Sequence, residues 1–598
     1  MKTTRKHTKQ ILGVAAVAML MFTGCQDMLE TESGRVAVAP ELNEKTDSMF
    51  YTLGILKALQ EATDRYVLTN ELRGDLAEPT ANAETDLKEL ACFNVTEGNK
   101  YDSAYTYYRV INNCNYYIAH RDTTLATGSR KVAMLEYVEA KAVRAWTYMQ
   151  LAKTYGSVPF YTNPLTMTSD VEEAKRQPRK SLAEIVEELA PDLEQYSGYG
   201  VPNYSSFDAG TSNSGESKTV ATKKMMLPVD LVLGDLYLET NQYEKAARHY
   251  ASYLMDNRLA ASAIGASAMM YADYRDLPSD FSSAGQHGSW ANVFASGDNS
   301  ENVTIVPFAT NRLRGTVTEL PELFGYNYYS TADGQSYNSN VQIGPSQALK
   351  DLVDGQQYYY TDVDGERVKS LSIGDMRYYA YERDLTIDEV SFSVMTKFNS
   401  GNVPLYRSAT IWLRLAEAIN RMGYPDAAFA ILKDGIGTAL LNDTTYMTEE
   451  SKEMLQTVVP LLSSQNRSIF NPSGSSESNN YGLHSRGCGI TAGQTSPYQM
   501  SEEVGKKLDE LVANFNLTLT ATKADTINAM EDLICDEYAL ELAFEGNRFG
   551  DLCRLARHKN EAAVYSAGFG GQWLAFVLSR KNAQVDLTKE ENWYLPLR

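Results

Sequence analysis

Apolar residues recur at steps of three and four through Leu135, Val138, Ala142, Ala145, Met149 and Ala152, and the run ends at Gly156 and Pro159. That period places them on one stripe of an amphipathic helix closed by two helix breakers. Residues 231–254 keep the same period but break at Thr240-Asn241-Gln242, and residues 411–432 break at Gly423-Tyr424-Pro425. Each segment therefore predicts two short helices joined by a tight turn. A fourth stripe runs through Ile527, Met530, Ile534, Tyr538 and Leu542. Between the second and third stripes the texture changes. Residues 303–308 and 390–398 are β-rich pieces among turn formers such as Asp333-Gly334, with glycines at Gly325 and Gly344, which predicts loops and short strands.

The helical blocks resemble one another. Leu233-Gly234-x-x-Tyr237 followed by Ala246-x-x-x-Tyr250 fits the tetratricopeptide pattern. Trp412-x-x-Leu415-Ala416 followed by Ala428-x-x-x-Leu432 fits it again, and Tyr148-x-x-Leu151-Ala152-x-x-Tyr155 matches in part. Such units bury a core only by stacking on neighbours. The expected fold class is mainly α, a tetratricopeptide-like helical repeat scaffold with a loop-rich region carrying short strands. Residues 205–219 and 463–497 read as long polar loops on that scaffold, where binding residues usually sit.

The first residues change the picture of where this scaffold works. Lys2, Arg5, Lys6 and Lys9 precede an apolar run over residues 11–22, then Thr23, Gly24 and Cys25. This is the grammar of an export signal. The run is shorter than the ~20 residues a bilayer span needs. Phe22-Thr23-Gly24-Cys25 resembles a bacterial lipobox, so residues 1–24 are expected to be removed and Cys25 acylated. Without the four basic residues of the leader, 51 basic residues face 76 acidic ones, a net charge of −25. That balance repels phosphate backbones, and nucleic acid is not expected as a partner. Beyond Cys25 the cysteines are odd in number and show no CxxC spacing; Cys92, Cys114, Cys535 and Cys553 read as small core residues, with one or two bridges left open.

No HExxH, GxSxG or phosphate-binding glycine loop with lysine occurs, so no catalytic residue and no cofactor are expected. Asp362-Val363-Asp364-Gly365 hints at a calcium loop, but Tyr360 and Leu371 occupy positions where an EF-hand has acidic ligands; a structural calcium ion stays open. Paired carboxylates for glycoside hydrolysis stay open too, since 76 acidic residues offer many pairs.

Ala140-Lys141-Ala142-Val143-Arg144-Ala145-Trp146-Thr147-Tyr148, continuing to Tyr155-Gly156-Ser157-Val158-Pro159, resembles the SusD (RagB/SusD) family of outer-membrane nutrient-binding lipoproteins. Further marks follow in order: Gly374-Asp375-Met376-Arg377, the helix Arg407 to Asn420, Glu541-Leu542-Ala543-Phe544-Glu545-Gly546-Asn547-Arg548-Phe549-Gly550-Asp551-Leu552, and a terminal Tyr594-Leu595-Pro596. Tyr538 stands where the family usually has arginine. Arg144 and Trp146 read as packing residues. Glu545, Arg548 and Asp551, three apart, would share a face if their segment is helical and bond charges between helices.

The resemblance implies four tetratricopeptide-like units, a loop-rich ligand site and docking on a SusC-like TonB-dependent transporter, with the chain lipid-anchored to the outer membrane and facing the cell exterior. The implied organisation is a lipidated tether at 25–40, an N-terminal helical part at 41–260, a loop-rich ligand-binding region at 261–398 and a C-terminal helical part at 399–598. The implied cargo is an oligosaccharide. Peptides or other nutrients captured by a transporter-capping protein, or a glycoside hydrolase, are the alternatives. Sugars offer an apolar CH face and a ring of hydroxyls, so their sites need aromatic platforms beside polar groups. In the regions the family uses, those residues are Asp75, Asn99 and Tyr101, then Trp290, Tyr326, Tyr328 and Tyr329.

Overall fold

A computed structural model describes residues 47–597 except 212–216, 260–292, 295–298, 310–314, 328–335, 338–339, 362–363, 365–366, 370–373, 388, 399, 466–481, 489–497, 519–521 and 562–564. The signal, Cys25, Trp290, Tyr328 and Tyr329 lie outside the described residues, as does most of the 362–365 run.

The helical period translates directly into helices. Met134–Tyr155 is one helix, Val229–Glu239 and Tyr243–Asp256 form one pair, Ser408–Arg421 and Pro425–Lys433 another, and Lys523–Leu542 a long single helix. The two breaks have distinct causes. At the first, Asn241 takes a left-handed backbone; at the second, Gly423 does so and Pro425 then opens the next helix. Gly234 belongs to the repeat because its partner leaves no room: a Cβ there would come 2.5 Å from the Tyr250 ring. Ala152 and Ala416 are likewise buried at their helix contacts.

Neighbouring helices stack in sequence. Ala104–His120 packs on Met134–Tyr155, which packs on Leu182–Glu194 and Val229–Glu239. Tyr243–Asp256 carries the stack to Ser408–Arg421, which rests on Lys523–Leu542. The last turn of the path is a return, because Arg548–Lys559 packs on the first helix, Asp47–Glu71. One continuous apolar core therefore runs from Ile55 to Leu595. The strands form two-stranded antiparallel ladders among the described residues, and two of these span long sequence distances. Ala77–Pro79 pairs with Ile343–Pro345, and Asn302–Val306 pairs with Val403–Arg407.

Beneath the strands lies a buried charge network. Glu541 is fully buried; its carboxylate accepts from Arg407 at 2.6 Å, Arg486 at 2.7 Å and Arg377 at 2.7 Å. Arg377 also meets Asp375 and Glu537, and Arg407 meets Glu301 and Glu545. Tyr538 donates to Glu417 at 2.8 Å, and Glu417 holds Arg554 through two bonds of 2.7 Å.

The motif at 541–552 is not a single helix. The Lys523–Leu542 helix ends, Phe544 and Gly546 take positive φ, and a new helix starts at Arg548. Glu545 thus sits in the turn and does not share a helical face with Arg548 and Asp551. It bonds Lys397 and Arg407, while Arg548 bonds Asp75 and Asp551 bonds Arg554. The turn is stabilised from outside: the Glu71 carboxylate accepts from the backbone N–H of Phe544 at 3.0 Å, Gly546 at 2.7 Å and Asn547 at 3.1 Å. Cys114, Cys535 and Cys553 are buried and Cys92 is half-buried, and none of the four forms a disulfide.

Two outcomes follow. Glu541→Ala leaves three buried guanidinium groups without their shared acceptor and is expected to cost about 3–5 kcal/mol, read as a lower denaturant midpoint. Glu139 is buried, accepts from Leu227 N at 2.8 Å, and burial pushes its carboxyl up to about 8. Its folded form holds a proton that the unfolded form releases, so its contribution is full below about 4.5 and is lost as pH rises toward 8. Glu139→Gln should therefore raise the thermal midpoint more at pH 8.5 than at pH 5; equal shifts at the two pH values would refute the assignment.

Candidate functional site

The loop-rich middle is held to the early part of the chain by a polar seam. Its base is the ladder of Ala77–Pro79 with Ile343–Pro345. Beyond it Thr80 N donates to Gln342 O at 2.9 Å and Glu84 N to the Gln342 side chain at 2.9 Å. At the rim, Lys100 lies 2.7 Å from Glu84 and 3.5 Å from Glu319, with its ammonium 4.8 Å from the Tyr101 ring centroid. All three charged side chains stay substantially exposed, at 43%, 37% and 51%.

Tyr101 is buried under this group. Its hydroxyl donates to Glu84 at 2.8 Å and lies 3.3 Å from Glu319. Burial, and then the Glu84 carboxylate, push the phenol far above its usual range. Asn99 is buried too: its amide donates to Asp86 O and to Glu89, each at 3.0 Å, and its oxygen accepts from Tyr101 N. The structure thus brings Asn99 and Tyr101 together with the middle region, as braces beneath the rim. Asp75 lies at the other end of the same ladder, where it pairs with Arg548 through contacts of 2.6 and 2.8 Å. Tyr326 opens a short strand, Tyr326–Asn327, paired with Ser336–Tyr337. Arg144 donates to Asn115 at 3.0 Å, and the Trp146 ring packs 5.4 Å from Tyr66. Glu84, Lys100 and Glu319 escape sequence reading because single charged residues in loops carry no periodic signal.

A concave feature lies apart from the seam, among the helices. It is a cleft of about 970 Å³ with walls that include Arg73, Phe93, Tyr155, Arg557, Glu590 and Tyr594. The terminal Tyr-Leu-Pro run forms one wall: Leu595 N donates to Thr154 O at 2.9 Å, and the Tyr594 ring rests on Gly156. Arg557 fixes that wall, donating to Glu590 at 2.8 Å and to the Tyr594 hydroxyl at 3.2 Å. Among the described residues no group of three or more His, Cys, Asp or Glu side chains is placed to hold a metal ion, and no helix is long and apolar enough to cross a membrane.

Comparison with known proteins places this architecture. The sequence model of the SusD family matches residues 512–597, which include the turn over Glu71 and the Tyr594 wall. No curated protein sequence matches the chain. Among solved structures, a SusD superfamily protein of Bacteroides vulgatus aligns with a TM-score of 0.51 at 13% identity, covering 93% of this chain and 96% of that one. Surface glycan-binding protein A of Bacteroides uniformis aligns with a TM-score of 0.51 at 16% identity over 93% and 96%. A laminarin-binding SusD-like protein aligns at 0.50 and 14% identity over 92% and 95%. These likenesses establish a SusD-like fold across nearly the whole chain, and the SusD family model matches its C-terminal helices over residues 512–597.

Proposed function

We propose that the chain is a cell-surface lipoprotein that captures oligosaccharide and delivers it to a partner SusC-like TonB-dependent transporter of the outer membrane. The observation that carries this reading is the SusD family match at residues 512–597 on a SusD-like fold. Two proteins of that fold, one a surface glycan-binding protein and one laminarin-binding, support carbohydrate as the cargo. The leader ending at Cys25 supports the lipid anchor.

Capture needs no bond to break. A sugar ring stacks its CH face on an aromatic platform and shares its hydroxyls with charged partners, and hydrogen bonds to charged groups are the stronger kind. In this reading Trp290, Tyr326, Tyr328 and Tyr329 supply the platforms, and Lys100, Glu84 and Glu319 at the seam supply the polar rim. Asn99 and Tyr101 hold that rim in place, while Asp75 anchors Arg548. Affinity is modest because a protein that hands cargo onward must release it.

Calorimetry of the purified mature chain against oligosaccharides of varied linkage and against peptides tests the cargo. Saturable heat with a glycan, weakened about tenfold (about 1.4 kcal/mol) by Tyr328→Ala or Trp290→Ala, is the expected result. Heat with peptides alone overturns carbohydrate capture, and shortening of the glycan makes the chain a hydrolase. Cys25→Ala should release folded, ligand-competent protein from the membrane fraction; its retention there, in cells lacking the partner transporter, would rule out the anchor.

A further inference from the structure

The helical cleft contains a positive charge that no carboxylate pairs with among the described residues. Arg73, Arg377, Arg407 and Arg554 are the four arginines among the largest fully buried side chains. Arg377 is held by Asp375, Glu537 and Glu541, Arg407 by Glu301, Glu541 and Glu545, and Arg554 by Glu417, Asp551 and Glu239. Arg73 forms no ion pair among the described residues. Its Nε donates to Thr69 O at 3.1 Å, and its guanidinium carbon lies 4.1 Å from the Phe549 ring centroid and 5.8 Å from that of Phe93. A guanidinium has five N–H donors, and the described residues use one of them. Burial pushes this cation down to about 10, opposed by the fields of Cys553, Tyr155, Tyr107 and Asp102.

A buried charge with idle donors is costly unless something completes it. Arg73 is part of the cleft wall, so the missing partner has a way in. Aromatic Phe93, Tyr155 and Tyr594 share that wall with the amides of Asn94 and Asn592. A planar carboxylate fits the guanidinium fork with two parallel bonds. An apolar ring face suits the aromatic residues, and hydroxyls suit the amides. The volume, about 970 Å³, accommodates a ligand of one or two sugar rings.

We propose that this cleft binds a uronic acid, a six-membered sugar ring whose carboxylate pairs with Arg73. The site uses none of the seam residues and stands whether or not the seam captures neutral glycans.

Calorimetry of the mature chain with glucuronate, glucose and acetate tests it. Glucuronate should bind saturably, with glucose and acetate each at least tenfold weaker. Arg73→Gln should lower glucuronate affinity at least tenfold, with circular dichroism reporting whether the variant folds. Ser157→Trp provides an independent block, because Ser157 is an exposed residue of the cleft wall and its substitution leaves the buried charge intact. It should abolish glucuronate binding while leaving binding of neutral oligosaccharides at the seam unchanged. The proposal falls if glucuronate gives no saturable heat, if glucose or acetate binds as tightly, or if glucuronate binding survives Ser157→Trp.

Discussion

Glu541 is the point on which the architecture turns. Burial alone would raise its carboxyl, yet the guanidinium groups of Arg486, Arg407 and Arg377 hold it well below the usual carboxylate range. The four residues come from segments remote in sequence, and each arginine carries further carboxylates with it. A shift of any one segment would leave a charge buried without its partner, the expensive outcome for a low-dielectric interior. Such a network contributes less to net stability than to uniqueness: it penalises the alternatives to one mutual placement of the strands, the 375–377 turn and the Lys523–Leu542 helix.

That penalty bears on binding. Arg377, Lys397 and Arg486 belong to loops or short elements and bond the Lys523–Leu542 helix or the turn that follows it, and Asp375 and Glu301 join them by pairing with Arg377 and Arg486. The loop-rich part thus hangs from a rigid helix through charges instead of through a wide sheet. A binding surface built on loops needs such a support, because loops themselves supply variety and not precision. The seam of Glu84, Lys100 and Glu319 is the visible edge of this arrangement, and its buried braces Asn99 and Tyr101 carry the same logic outward.

What was legible in the sequence was local. The 3.6-residue period located the helices and their breaks at Asn241 and Gly423, because each signal is contained within a turn or two of chain. What was not legible depends on distance. Glu71 caps the turn at Phe544 and Gly546 from more than 470 positions away, and no pattern around Glu71 marks it as a cap. Asn99 and Tyr101 look like loop residues free for a ligand; their burial is decided by Glu89, Glu84 and Glu319, the last of them 218 positions from Tyr101. Spacing puts Glu545 on one face with Arg548 and Asp551 only if the segment is helical, and the positive φ of Phe544 and Gly546 breaks the helix there.

The charge balance connects these observations. Buried acidic and basic side chains nearly cancel among the described residues, so the acidic excess of the chain falls mainly on the surface. An acidic exterior disfavours an anionic ligand at long range, and this raises the question of how a carboxylate would reach Arg73. At physiological ionic strength, however, exposed charges are screened beyond about 8 Å, whereas a desolvated guanidinium acts at contact with little screening. Repulsion outside and attraction inside then act on different length scales. The exterior slows the approach of anions in general, and the cleft retains those whose shape brings a carboxylate to contact with Arg73 while a ring lies on Phe93 or Tyr594. Selectivity of that kind rests on a buried cation without an ion-pair partner among the described residues, where the other fully buried arginines, Arg377, Arg407 and Arg554, are all paired.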